Sequence, residues 1–323
     1  MAILIAGTRL AKYADVIADK SRLGRIWIGL ALVAIITAMP EMATGISAAT
    51  LVDSPDLAIG TLIGSCCFNL ALLAVLDIAH TKKPVLAQVS NRHLPGVRWG
   101  FLLLCIVGVG VFLAPRVSLP MLGWLSLSGL LLIAVYVYAI RRILRTERHT
   151  HIASSDAAPR YTSMTLRSAV LRFLVAGIVV IGAGIWLSFV GDGITTVTGW
   201  GSSFVGTLLL AAATSAPELV VCVSAVRLGF RDIAIADLLG ANMLDVAMVG
   251  VVDAVYMRGS LLASASQINV VVIACAAVMV AITGLAIRLR HNRYLVWRVS
   301  WYGPLLVALY LVVAYVLFTQ GAG

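Results

Sequence analysis

Apolar residues along this chain come in runs of about twenty, the length an α-helix needs to cross a hydrocarbon core. The ten-residue alternating segments of a transmembrane barrel are missing from the pattern. Hydropathy and loop punctuation predict ten spans, at roughly 2–19, 26–51, 56–79, 97–115, 118–141, 168–190, 200–226, 232–256, 267–288 and 300–319. The expected fold is therefore an all-α integral membrane protein of ten transmembrane helices.

Composition agrees, with 61% hydrophobic and 12% charged residues over 323 positions, against about 25% charged in a soluble domain. The net charge of +10 would suggest nucleic acid in a soluble protein, but here the basic residues sit in short loops. Twenty Lys and Arg fall in one set of alternating loops, from Lys20, Arg22 and Arg25 to Arg288, Arg290, Arg293 and Arg298. The other set has two, Arg116 and Arg258, beside Asp53, Asp56 and Asp192. A span miscounted mid-chain would erase that asymmetry. The positive-inside bias places the basic loops in the cytoplasm and both termini outside it, across a plasma (inner) membrane. No nucleic-acid partner is expected, and the sequence carries no signal for oligomeric state.

The first span is short and runs directly into Arg9, Lys12, Asp15 and Asp19, which does not match a cleavable signal. Either it is amphipathic at its inner end or the chain starts upstream of Met1. Cys66, Cys67, Cys105, Cys222 and Cys275 all fall in apolar segments without C-x-x-C spacing and read as small apolar residues. The one long loop, 142–167, is basic and polar, and reads as a cytoplasmic linker. Its His149 and His151 lack a third ligand for a metal.

Two stretches break the apolar pattern. Thr37-Ala38-Met39-Pro40-Glu41 and Thr214-Ser215-Ala216-Pro217-Glu218 each put a proline and a glutamate inside a span. A carboxylate at bilayer depth costs at least about 3 kcal/mol unless it is paired, neutralised or bound to a cation. The proline removes an N–H and frees the carbonyl four residues back, Ile36 or Ala213. The stretches belong to a longer repeat. Asp56-Leu57-Ala58-Ile59 matches Asp232-Ile233-Ala234-Ile235, and Gly64-Ser65-Cys66-Cys67-Phe68-Asn69 matches Gly240-Ala241-Asn242-Met243-Leu244-Asp245, at offsets of 177 and then 176. Five spans separate the copies, so they run in opposite senses through the membrane. The predicted organisation is two inverted five-helix repeats, 1–141 and 168–323, joined by the linker 142–167.

In each copy the hydroxyl and the acid share a helix face, Thr37 with Glu41 and Thr214 with Glu218. Ser65 and Asn69 repeat that spacing, as do Ala241 and Asp245. If the copies cross near the midplane, Glu41, Glu218 and Asp245 gather with Asn69, Thr37, Thr214, Ser215 and Ser65. Three carboxylates with neutral oxygens offer the six to eight ligands Ca²⁺ takes, and can hold Na⁺ or protons in its place. Exclusive occupancy of one site is the basis of exchange, since an empty charged site is costly to carry across the membrane. A lone proline is ordinarily a kink and a lone Glu a hydrogen-bonding partner. The doubling at inverted positions is what favours a functional site. Asp77, Asp253 and Asp237 are left open between an ion path and a structural role. Gly60, Gly64, Gly206 and Gly240 are expected to let helices cross closely.

At these residues the chain resembles the calcium/cation antiporter superfamily, in its sodium/calcium exchanger branch, whose repeats carry Gly-Thr-Ser-x-Pro-Glu and Gly-Asn-x-x-Gly-Ser-Asn-x-Phe-Asn. The resemblance implies that Glu41 and Glu218 are the central Ca²⁺ ligands. It implies that Thr37, Thr214, Ser215, Ser65, Asn69 and Asp245 complete the Na⁺ and Ca²⁺ sites. It also implies alternating access, with the first and sixth spans sliding over a more static core. The ions are cargo and no cofactor is implied. The chain departs from the pattern at Ile36, Ala38, Ala213, Thr61, Asp237, Cys66 and Ala241. Losing hydroxyls at 38 and 241 removes neutral ligands while keeping all three acids, which weakens the case for Na⁺ and strengthens that for H⁺ or another divalent cation. An intramembrane enzyme is disfavoured, because His80, His93, His149, His151 and His291 fall in loops or at span ends and no His-Glu-x-x-His occurs. A non-transporting membrane scaffold is the remaining alternative.

Overall fold

The computed structural model describes residues 1–20, 37–79, 83–117, 121–122, 125–150, 164–290 and 300–321. Its principal helices are α1 (Ala2–Lys20), α2 (Met39–Thr50), α3 (Pro55–Ala79), α4 (Leu94–Leu113), α5 (Leu127–Thr150) and α6 (Leu166–Thr198). They continue with α7 (Ser202–Thr214), α8 (Ala216–Arg227), α9 (Arg231–Val255), α10 (Asn269–Leu289) and α11 (Tyr302–Gly321). Among the described residues the only strands are Met121–Leu122 and Leu125–Ser126, paired as a small hairpin.

Seven of these helices are long and apolar enough to cross a membrane, or eight if the bent pair α7 and α8 is one span. The predicted spans 2–19 and 26–51 are not among them. α1 has the length, but its charged residues interrupt the apolar run. Of 26–51, residues 26–36 lie outside the described residues and α2 supplies the remaining helix. The predicted span 118–141 is shifted: Met121–Leu122 and Leu125–Ser126 are strands, and α5 runs from Leu127 to Thr150, into the predicted linker. Residues 151–163 of that linker, with His151, lie outside the described residues, as do Ile36, His80 and His291.

The helices sort by burial. In α3 and α9, 83% of the apolar stretch is buried inside the protein, against 17–50% in the other five spans. Apolar residues on all sides suit α3 to the centre, while Ile178 and Trp186 on α6 and Tyr315 on α11 remain exposed for lipid. Packing is exchanged between the halves: α3 lies against α10 and α11, α9 against α4 and α5.

Acids at both ends of these two central helices secure the exchange. Asp56, at the start of α3, accepts from the Ser266 backbone N–H and the Asn269 amide, both at 2.7 Å. Asp232, at the start of α9, accepts from the Ser90 backbone N–H at 2.9 Å and lies 2.7 Å from His93 Nε2. Near the other end of α3, Asp77 accepts from Val85 N–H at 2.7 Å and the Tyr302 hydroxyl at 2.8 Å. Asp253 of α9 accepts from Leu261 N–H at 2.7 Å and the Ser126 hydroxyl at 2.8 Å. Every residue in the second of each pair of clamps stands 176 positions from its counterpart in the first. Asp77 and Asp253, left open by the sequence, are anchors for the short helical turns Val85–Gln88 and Leu261–Ser264.

α3 and α7 cross with their backbones in contact. A Cβ on Gly64 would lie 2.5 Å from Thr207 Cα, one on Gly206 2.7 Å from the Leu57 carbonyl oxygen, and one on Gly60 3.0 Å from that of Ser203. The close crossing expected of these three glycines is present. It falls on a π-helical turn, Val205–Leu210, of a kind that often marks functional sites.

Candidate functional site

Each acid-bearing stretch carries a backbone break at the same place. Ala38 has φ −80° and ψ 0°, and Ser215, its counterpart, φ −81° and ψ 5°, both in the sparsely allowed bridge region. A new helix starts immediately after each, with Pro40 or Pro217 in the first turn, where a missing N–H costs nothing. α7 and α8 consequently meet at a bend of 47°. Glu41 and Glu218 fall in the first turns of α2 and α8, where the free N–H groups and helix dipole favour a carboxylate.

All eight residues proposed from the sequence are buried. Ser65, Asn69, Thr214 and Ser215 have no exposure, and Thr37, Glu41, Asp245 and Glu218 have 2% or less. The halves meet directly, because the Ser215 hydroxyl donates to Glu41 Oε1 at 2.8 Å. Thr214 turns its hydroxyl back onto the Leu210 and Ala211 carbonyls at 3.0 and 3.2 Å. Across α3 and α9, Asn69 Nδ2 donates to Asn242 Oδ1 at 3.1 Å.

Five oxygens of this set are buried and accept no hydrogen bond: Glu41 Oε2, Glu218 Oε2, Asp245 Oδ1, Asn69 Oδ1 and Ser65 Oγ. Each such group costs about 1–3 kcal/mol, more when charged, so five of them among these eight residues are a costly arrangement for the fold alone. Hard cations bind such oxygens.

The site is unequal and does not close on one point. Among the described residues no three His, Cys, Asp or Glu side chains come together closely enough to hold a metal ion. The hydroxyl that Ser215 gives Glu41 has no equivalent for Glu218, because Ala38 stands at the matching position. Ala241 is buried on α9 without the hydroxyl of its counterpart Ser65. A cavity of about 460 Å³ opens elsewhere, at the starts of α3, α7 and α10, lined by Asp56, Ser202, Ser203 and Gln267, and it includes none of the eight residues.

Two further residues outside the predicted set stand out. Asp237 is buried on α9, with Oδ2 3.9 Å from Cys222 Sγ and Oδ1 without a partner. Asn242 was within reach of the sequence, since it occupies the partner motif of the second copy and its counterpart there, Cys66, is one of the departures from the family pattern.

Comparison with known proteins places these features in a family. The family described as sodium/calcium exchanger protein matches residues 1–143 and 168–319. "Inner membrane protein YrbG" of Escherichia coli (strain K12) is 28% identical over 256 residues, covering 76% of this chain and 74% of that protein. Among solved structures, the "H+/Ca2+ Exchanger CAX" superposes with a TM-score of 0.72 at 17% identity, over 99% of this chain and 83% of its own. The "sodium-calcium exchanger NCX_Mj" superposes at 0.60 and 19% identity, over 96% and 93%. At such identities these two structures speak for the fold.

Proposed function

The chain belongs to the sodium/calcium exchanger protein family, which makes it a secondary active cation antiporter and not an enzyme, and from that premise we propose that it exchanges Ca²⁺, or a related divalent cation, for Na⁺. Alternating access takes place at Glu41, Glu218 and Asp245, assisted by Asn69, Thr37, Thr214, Ser215 and Ser65. The observation that carries this reading is the group of buried oxygens without partners on both glutamates, Asp245, Asn69 and Ser65. Supporting it, the hydrogen bonds of the central helices recur at an offset of 176 with the halves exchanged, as two inverted five-helix repeats, 1–141 and 168–323 around the linker 142–167, require. The ten-span membrane topology, with both termini outside the cytoplasm of the plasma (inner) membrane, rests on the loop charges.

A moving element is at hand. A Cβ on Gly7 of α1 would lie 2.6 Å from Pro217, and one on Gly184 of α6 3.1 Å from the Pro40 carbonyl oxygen. Gly7 and Gly184 are 177 apart, as are Pro40 and Pro217, so each long outer helix bears on the glutamate-bearing helix of the other half. Sliding α1 and α6 together would act on both glutamates at once.

A second reading replaces Na⁺ by H⁺. It is favoured by Ala38 and Ala241, which withhold two neutral oxygens Na⁺ would use while leaving every acid in place. The fold is shared by a protein named a sodium-calcium exchanger and one named an H⁺/Ca²⁺ exchanger, so the fold does not choose. Uptake of ⁴⁵Ca²⁺ into proteoliposomes separates the two. Flux driven by an outward Na⁺ gradient at equal pH supports the first reading, and flux driven only by a pH gradient supports the second. No gradient-dependent flux of Ca²⁺ or another divalent cation would favour a scaffold.

A further inference from the structure

A carboxamide can ligate a cation only through its oxygen, so a buried Asn serving that role needs its NH₂ group held elsewhere. Asn69 is in that position. Its Nδ2 donates to Asn242 Oδ1 at 3.1 Å, and its Oδ1 is buried without a partner, as Asp245 Oδ1 is on the facing helix. Asn69 is fully buried and Asn242 4% exposed, so water does not compete for this bond.

The other half shows the contrast. Asp245 corresponds to Asn69, and the residue corresponding to Asn242 is Cys66. Cys66 turns its thiol to the Leu62 and Asn242 backbone carbonyls, each at 3.5 Å, and offers no strong acceptor. A carboxylate has two equivalent oxygens and presents an acceptor whichever way it is turned. An amide presents a repelling donor when flipped. The asymmetry Asn69 with Asn242 against Asp245 with Cys66 is thus chemically consistent: the half with the amide ligand has an orienting acceptor, and the half with the acid does without.

We infer that Asn242 is a positioning residue of the cation site, fixing the Asn69 carboxamide so that its oxygen faces the transported ion. This rests on the reading of Asn69 as a ligand in a divalent cation antiporter.

The test is a double-mutant cycle on ⁴⁵Ca²⁺ uptake by the full chain in proteoliposomes, read as the half-saturating concentration. Asn242→Cys installs the residue that the first half already carries at this place, and Asn242→Ala serves as a second variant with the same expectation. Each is measured alone and together with Asn69→Asp. In the Asn69 background, loss of one buried hydrogen bond raises half-saturation about fivefold. In the Asn69→Asp background the same substitution changes it less than twofold, because a carboxylate needs no orienting partner. An equal effect in both backgrounds is what a merely structural role would give and would overturn the inference, as would no effect in either. Glu218→Gln is measured alongside. If it leaves uptake unchanged, the proposed site itself fails; if it abolishes uptake while Asn242 shows no coupling to Asn69, the inference alone fails.

Discussion

Substituting Gly64 by alanine tests how the fold positions the site. The added Cβ would lie 2.5 Å from Thr207 Cα, 2.6 Å from its carbonyl oxygen and 2.9 Å from its carbonyl carbon. These are backbone atoms, so no rotamer change relieves the clash. Restoring an ordinary contact of about 3.5–4.0 Å requires α7 to withdraw from α3 by about 1 Å. Overpacking of this kind costs about 1–3 kcal/mol. The withdrawal has a further effect, because α7 leads directly into Thr214 and Ser215 and, past the bend, to Glu218. Ca²⁺–oxygen distances span only about 2.3–2.6 Å, so a shift near 1 Å takes ligands out of reach. Gly64→Ala is therefore expected to lower the unfolding midpoint in detergent and to reduce ⁴⁵Ca²⁺ uptake at subsaturating Ca²⁺ more than tenfold. Gly182→Ala on α6, where nothing lies within 4 Å, should leave both unchanged. Wild-type uptake and stability in Gly64→Ala would refute the claim that this crossing sets the site.

Other substitutions separate the parts of the account. Ser215→Ala removes the hydroxyl on Glu41; a bond to a charged group contributes about 1.5–3 kcal/mol, so half-saturation for Ca²⁺ should rise at least about tenfold, and an unchanged value would remove Ser215 from the site. Ala38→Ser with Ala241→Ser returns two neutral oxygens, and Na⁺ should then compete with Ca²⁺ uptake more strongly than in wild type; equal inhibition curves would show that these hydroxyls do not govern Na⁺ binding. Asp253→Ala strands Leu261 N–H and the Ser126 hydroxyl and should cost about 3 kcal/mol of stability, while the surviving protein keeps its half-saturation. A large change in half-saturation would put Asp253 on the ion path after all.

Local pattern carried much of this account in advance. The two Pro-Glu stretches, their offset and the partner motifs are all short-range signals, and the buried positions of Glu41, Glu218, Asp245 and Asn69 follow from them. The glycine crossings were legible for the same reason, since a small residue in an apolar helix has few other uses. Long-range pairing was not legible. Asp77 and Asp253 looked ambiguous because their partners, Tyr302 and Ser126, come from the opposite half, and only the packed structure brings them together. The continuation of α5 to Thr150 escaped notice because hydropathy marks where lipid ends and not where a helix does. The role of Asn242 was not legible because its partner, Asn69, lies on α3 in the other half, and only the packed helices bring the two amides together.

The most direct measurement is ⁴⁵Ca²⁺ uptake into proteoliposomes under imposed Na⁺ and H⁺ gradients, with wild type beside Glu41→Gln and Glu218→Gln. Each substitution keeps side-chain volume and removes the charge that a divalent cation would neutralise. Wild type is expected to show gradient-driven uptake and both variants to lose it, with all three proteins equally folded by size-exclusion chromatography. Uptake that survives both substitutions would contradict it.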